Sequence, residues 1–158
     1  MKKVLFAMAA LLIGGMMLTG CKKNPQPTPD PTTKTKTIVY QVTNKDNESI
    51  LSDCFKLKVT YLDANGQSVT EENITPPWTK SVEVKLPFHA KMEGTYSYNV
   101  EDLPDQVYYG RYYGIGCYDG NSLVIDMTGG ISPSTKEKFL NLVEQHPDRL
   151  SFTTEKDF

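Results

Sequence analysis

The stretch that decides the fold is Phe55-Lys56-Leu57-Lys58-Val59-Thr60-Tyr61-Leu62-Asp63-Ala64-Asn65-Gly66. Apolar and polar side chains alternate from Phe55 to Tyr61, which is typical of a β-strand with one buried face. The Asn65-Gly66 dipeptide tolerates positive φ at both central positions of a tight turn and therefore predicts a hairpin. This stretch indicates a domain built from antiparallel strands.

Three further stretches alternate in the same way, and a second turn dipeptide, Asp119-Gly120, predicts a second hairpin. Residues 37–158 have the usual length of a single domain. The sequence therefore predicts a mainly β fold, an antiparallel β-sandwich that is immunoglobulin-like or related. The expected buried faces are Val82, Val84, Leu86 and Phe88, then Tyr96, Tyr98 and Val100, then Leu123, Ile125 and Met127.

One short helix is expected near the C-terminus. Ser134 and Glu137 have the spacing of a capping box, and Pro147 ends the segment. Phe139, Leu140 and Val143 fall on one side, so we expect this helix to pack on the sandwich. Residues 150–153 are expected to form a last strand.

The first twenty residues have the three parts of a signal peptide: two lysines, an apolar run over 4–13, and small residues before Cys21. The run is shorter than the roughly 20 apolar residues of a membrane-spanning helix. The four residues Leu18-Thr19-Gly20-Cys21, at the end of this segment, resemble the lipobox of bacterial lipoprotein precursors. The resemblance implies that Cys21 is lipidated and becomes the first residue of the mature chain. The alternative, an ordinary secreted protein, lacks the expected Ala-x-Ala cleavage site.

A tether is expected over residues 21–36, from the lipidated Cys21 onward. Prolines alternate with Gln, Thr and Asp here, which favours an extended polyproline II chain. In lipoproteins of Bacteroides-type bacteria, an acidic run after the cysteine often accompanies export to the cell surface. Lys22-Lys23-Asn24 occupies that position. The resemblance thus implies an outer-membrane lipoprotein of the bacterial cell envelope that faces the periplasm, with the cell surface as the alternative.

The charge of the chain restricts its partners. The formal net charge is −2, and removal of residues 1–20 would take away two lysines and no acid. A mildly acidic chain has no electrostatic footprint for nucleic acid. Membrane lipid is therefore expected to be bound through the acyl chains on Cys21, because two or more chains give stable attachment.

A second resemblance covers most of the mature chain. Val59-Thr60-Tyr61, Asp63-x-Asn65-Gly66, Pro77-Trp78-Thr79-Lys80 and Leu86-Pro87-Phe88 look like small lipoproteins of Bacteroides-type bacteria that have no assigned activity. Over residues 55–90, the same order is similar to the small periplasmic partners of mycobacterial lipid transporters, which are immunoglobulin-like sandwiches. The resemblance to Bacteroides-type lipoproteins implies no function. The resemblance to the periplasmic partners of lipid transporters implies an accessory subunit of an envelope transporter.

Two cysteines remain once Cys21 is lipidated. Outside the cytoplasm, an even pair favours a disulfide, here between Cys54 and Cys117. Two unpaired thiols are the alternative.

Residues suited to catalysis are few. His89 and His146 are far apart in the chain, and no nucleophile elbow, zinc-protease motif or phosphate-binding glycine loop accompanies them. We therefore interpret both histidines as solvated, and we expect no cofactor, no metal site and no enzymatic activity. A hydrolase would need His89, or a carboxylate such as Asp102 or Asp105, to converge with other groups in a pocket. Trp78 is interpreted as a core or corner residue, with ligand stacking as the alternative.

The most unusual internal segment is residues 107–118, in which eight of the twelve residues are tyrosine or glycine and one is Arg111. If it is one strand, Tyr108, Tyr112 and Tyr118 share a face with three glycines, which often mark a bulge or a close approach by another chain. Tyrosine offers a large rigid area with a polar tip, suited to binding a protein or a sugar. These three tyrosines are the candidate partner-binding residues; coverage by the helix or the tether is the alternative.

These patterns favour a membrane-anchored, extracytoplasmic lipoprotein that acts as a non-enzymatic binding or assembly module, with an envelope protein or glycan as partner. A periplasmic accessory subunit of an envelope transporter is the first alternative. A hydrolase is the distant one.

Overall fold

Eight antiparallel strands and one α-helix form the domain in the computed structural model, which describes residues 34–43 and 53–158. The predicted signal peptide, Cys21 and most of the predicted tether lie outside the described residues, as do residues 44–49, for which the sequence predicts a loop. The elements are β1 Thr35–Val42, β2 Lys56–Leu62, β3 Ser68–Ile74, β4 Trp78–Lys85, β5 His89–Ser97, β6 Gln106–Asp119, β7 Ser122–Thr135, α1 Lys136–Gln145, a 3-10 turn Pro147–Leu150 and β8 Ser151–Asp157.

The strands are arranged in two four-stranded sheets, in the orders β4-β1-β6-β7 and β3-β2-β5-β8. All six pairings are antiparallel, which confirms the predicted sandwich. The β1–β4 and β2–β5 pairs correspond to strands B–E and C–F of an immunoglobulin domain. In such a domain, the strand on the other side of B precedes it in the chain. Here β6 occupies that place, so the order is related to the immunoglobulin order and not identical with it.

The two ends of the sandwich differ. We call one the entry end, because the chain enters it at Lys34, whose carbonyl oxygen accepts a hydrogen bond from the Leu86 amide at 2.9 Å. Phe158 at the C-terminus exchanges backbone hydrogen bonds with Phe88 there. The β2–β3 and β6–β7 turns also lie at this end. The helix α1, the 3-10 turn and the β5–β6 connection lie at the opposite end, which we call the helix end.

Both predicted hairpins are confirmed, but their turns differ from the expectation. Gly66 and Gly120 have positive φ (73° and 60°), whereas Asn65 and Asp119 do not. In the first turn, the Asp63 carboxylate accepts hydrogen bonds from the amides of Asn65 (2.8 Å) and Gln67 (2.9 Å). In the second, Gly120 is the first of two residues between the paired Asp119 and Ser122, as in a type II′ turn.

The core is confirmed where alternation predicted it: Phe55, Leu57, Val59 and Tyr61 are all buried. An aromatic cluster fills the space between the sheets at the helix end. The ring of Phe55 is its centre, with other ring centroids 5.1 to 6.4 Å away, those of Tyr96, Tyr98, Tyr109 and Phe139.

The helix forms near the C-terminus as predicted, but its cap is one residue later. Thr135, not Ser134, is the N-cap, and its hydroxyl accepts a hydrogen bond from the Lys138 amide at 3.3 Å. The helix begins at Lys136, so Thr135, the last residue of β7, directly precedes it, whereas Ser134 lies one residue too early. Phe139 and Val143 are buried against the sandwich, as expected.

Three strand boundaries also differ from the prediction. The strand expected over 81–88 ends at Lys85, and the one expected over 96–100 ends at Ser97, so Val100 is exposed. β1 already includes Thr35 and Lys36, which were expected to belong to the tether.

Within 34–43 and 53–158, no helix is long and apolar enough to cross a membrane.

Candidate functional site

The segment singled out in the sequence forms one strand, β6, paired with β7 over its whole length of 14 residues. Val107, Tyr109 and Ile115 point into the core and are buried. Side chains alternate across a strand, so Tyr108, Tyr112 and Tyr118 lie on the outer side of the sheet. The prediction that these three tyrosines share a face is confirmed.

The glycines between the tyrosines have a reason inside the chain. A Cβ atom on Gly114 would overlap the carbonyl oxygen of Asp126, and one on Gly116 would overlap that of Val124. Met127 and Ile125 also lie over these positions, with Met127 Sδ 2.9 Å from a Cβ on Gly114. The close approach that the glycines permit is therefore by the neighbouring strand β7.

The residues from β7 on this side complete a surface that we call the outer ribbon, formed by Tyr108, Tyr112, Tyr118, Leu123, Ile125 and Met127. The last three were expected on a buried face. They lie on the outer side because Leu123 pairs with Tyr118, and residues directly opposite each other in a sheet share a face.

The most exposed residue of the outer ribbon, Tyr118, lies at the entry end. There Tyr118 is 44% exposed and Leu123 37%, while Val124, on the other side of β7, is 51% exposed. Tyr118 and Leu123 lie opposite each other in the hairpin and form an exposed apolar pair on the outer side. Sequence analysis placed Leu123 on a buried face and so missed it as a surface residue, whereas Val124 was expected on the opposite face of the strand.

β7 is an edge strand. Among the described strands it pairs only with β6, and its inner-side residues from Val124 to Ser132 are exposed. One ion pair links it to the other sheet: Lys156 Nζ lies 3.0 Å from Asp126 Oδ2. The inner side of β7 is thus largely open to solvent, because the second sheet does not cover it.

The opposite edge, at β3 and β4, is closed by the carboxylate of Glu71. It accepts hydrogen bonds from Trp78 Nε1 (3.0 Å), Lys80 Nζ (3.0 Å) and the Tyr61 hydroxyl (3.1 Å). These bonds, that of Trp78 above all, hold the pKa of Glu71 below its usual value. Trp78 is buried and satisfied through its N–H, which confirms its interpretation as a core or corner residue.

The expected Cys54–Cys117 disulfide is corrected by the structure, in which both are free thiols. Cys54 lies at the helix end, in a hollow that it shares with Asp102. Cys117 lies eleven residues beyond the start of β6, about 36 Å further along that strand. A disulfide needs Cα atoms within about 7 Å, so the sandwich keeps the two thiols apart.

We therefore expect two reactive thiols, Cys54 and Cys117, in each mature chain whose Cys21 is lipidated. Thiol titration in denaturant without reductant measures this number. The Cys117→Ser variant should then show one. Thiols that become reactive only after reduction would contradict the arrangement.

The groups that a hydrolase would use are not brought together. His89 Nδ1 lies 2.7 Å from Asp157 Oδ1 at the entry end, and its ring is half exposed. The Asp102 carboxylate accepts a hydrogen bond from the side-chain amide of Asn99 at 3.0 Å. Asp102 lies beyond the C-terminal end of β5, and His89 begins that strand, whose length is about 26 Å. His146 follows α1, and Asp105 bonds through its backbone carbonyl to the Lys136 amide. Within the described ranges, no group of three or more His, Cys, Asp or Glu side chains could hold a metal ion.

Fold and surface together define a β-sandwich protein with an exposed apolar ribbon on one sheet. No protein-family model matches the chain, and no curated protein matches it. Among solved structures, it is similar to a DUF4425 family protein from Bacteroides ovatus ATCC 8483, with 14% sequence identity over 78% of this chain and 96% of that one. The TM-score is 0.40.

Proposed function

We propose that this chain is a non-enzymatic binding or assembly module, anchored in the outer membrane of a bacterial envelope through acyl chains on Cys21. The partner, an envelope protein or glycan, binds the outer ribbon. The observation that carries the proposal is that Tyr118 and Leu123, which pair across the β6–β7 hairpin on the outer side of the sheet, are both exposed.

The chemistry of the outer ribbon supports binding over catalysis. Aromatic residues and methionine are enriched at protein interfaces, and charged residues are depleted in their cores. The six residues of the outer ribbon carry no charge. His89 lies at the entry end beside Asp157, whereas Asp102 and Asp105 lie at the helix end.

Site-specific crosslinking in intact cells tests the binding surface. A photoreactive amino acid at Leu123 should yield a discrete adduct with one envelope component, because that side chain would lie in the interface. The matched control is the same amino acid at Thr70, an exposed position on β3 in the other sheet. Equal adducts at both positions, or none at Leu123, would contradict the proposal.

Fractionation tests the anchor. The Cys21→Ser variant is expected to leave the membrane fraction, since without acyl chains the mildly acidic chain has no basic patch to hold it there. The Cys54→Ser variant should stay with the membrane. Retention in the membrane of Cys21→Ser chains from which residues 1–20 have been removed would rule out lipid anchoring at this residue.

A further inference from the structure

A second candidate site lies at the helix end, on the inner side of β6 and β7. It is an open pocket of about 390 Å³ lined by residues of the two strands, α1 and the 3-10 turn. Arg111, Gly130, Ser132, Leu142 and Arg149 line it. This volume is within the range of small-molecule sites. The pocket shares no side chain with the outer ribbon.

Arg111 is held in place and still has donors to offer. Its Nη1 donates hydrogen bonds to the carbonyl oxygens of Asp148 (3.1 Å) and Ser151. A guanidinium has five N–H groups, so the three on Nε and Nη2 remain. In the described part of the chain, no carboxylate lies within ion-pair distance of Arg111 or Arg149.

Tyr109 lies at the wall of the pocket and is close to the charges of Arg111 and Arg149. Burial raises the pKa of this phenol, whereas Arg111 and Arg149 both act to lower it. Both guanidinium groups are therefore within electrostatic reach of one side chain. Asp148 acts in the opposite direction on the same phenol, so these three charged groups together leave the region net positive.

Two glycines of β7 shape the pocket differently. Gly129 has φ +114°, and a Cβ atom there would overlap the carbonyl oxygen of Arg111. Its backbone is thus pressed against β6. At Gly130, a Cβ atom would meet nothing within 4 Å. The missing side chain of Gly130 leaves the space in front of Arg111 and Ser132 open.

We propose that this pocket binds the oxyanion group, a carboxylate or a phosphate, of a small ligand. Guanidinium groups bind such oxyanions through strong charge-assisted hydrogen bonds, often in pairs. Arg111 and Arg149 supply the positive charge, and the Ser132 hydroxyl is a further donor. Leu142, exposed at the rim, contacts the apolar part of the ligand next to the oxyanion.

Titration of the isotope-labelled full chain with inorganic phosphate, and separately with glucuronate, tests this site and distinguishes the two oxyanions. Saturable shifts of the Gly130 and Ser132 amide signals are expected in at least one titration. Sodium chloride at equal ionic strength should not reproduce them. Absence of saturation with both probes, or the same shifts with chloride, would overturn the proposal.

Two variants localise the binding. Gly130→Val fills the pocket, and Arg149→Gln removes one charge; each should weaken binding at least about tenfold. The matched controls are Thr128→Val on the same side of β7 and Lys138→Gln on α1, which should bind as the unmodified chain does. Circular dichroism verifies that each variant is folded. Unchanged affinity in folded Gly130→Val would refute the site. Neither weakened nor unchanged affinity in these variants bears on the outer ribbon.

Discussion

Replacing Phe55 with alanine is expected to lower the free energy of unfolding by about 3–5 kcal/mol. Phe55 is fully buried, and its ring contacts aromatic residues of β5, β6 and α1. Truncation would leave a cavity where both sheets and the helix meet, because packed interiors collapse only in part around lost volume. Urea unfolding, followed by circular dichroism, measures the difference.

Tyr118→Ala is the matched control for this prediction. It also removes an aromatic ring, but from the exposed end of the outer ribbon, so its effect should stay within about 0.5 kcal/mol. If Phe55→Ala cost no more than Tyr118→Ala, the aromatic cluster would not be the centre of the core.

Alternation predicted the strands and their inner faces where one face of the strand is covered. Phe55, Leu57, Val59 and Tyr61 are such a case, because β2 is a central strand with the other sheet on one side only. The period of the pattern is then enough to determine which side chains are buried.

The same argument failed for β7. Its apolar residues alternate as those of β2 do, but a period of two does not say which side of a sheet they occupy. The side is decided by the pairing with β6 and by the position of β7 at an edge, where neither side is fully covered. Both are long-range properties that the local sequence does not contain.

The candidate sites show the same division between local and long-range information. The tyrosines of the outer ribbon could be predicted because they lie on one strand. The pocket could not, because its residues come from β6, β7, α1 and the 3-10 turn. The disulfide was mispredicted for the same reason. An even number of cysteines indicates a disulfide only if the fold brings the two cysteines within bonding distance.

Replacing Gly129 with alanine is expected to lower the free energy of unfolding by about 2–5 kcal/mol, which combines backbone strain with steric overlap. At φ +114°, any side chain is strained, and the new methyl group would overlap the Arg111 carbonyl oxygen. That oxygen belongs to a paired strand and cannot turn away as a flexible side chain would. Urea unfolding of the variant measures the loss.

Gly130→Ala, one residue later, is the matched control with the opposite expectation. Its φ is not positive, and a Cβ atom would meet nothing within 4 Å. The substitution should leave stability unchanged or raise it by up to about 1 kcal/mol, because alanine restricts the unfolded chain. Equal losses for both variants would mean that the β7 backbone is not pressed against Arg111 at Gly129. The space that Gly130 leaves in front of Arg111 would then have another shape, and the oxyanion pocket would lose its structural basis.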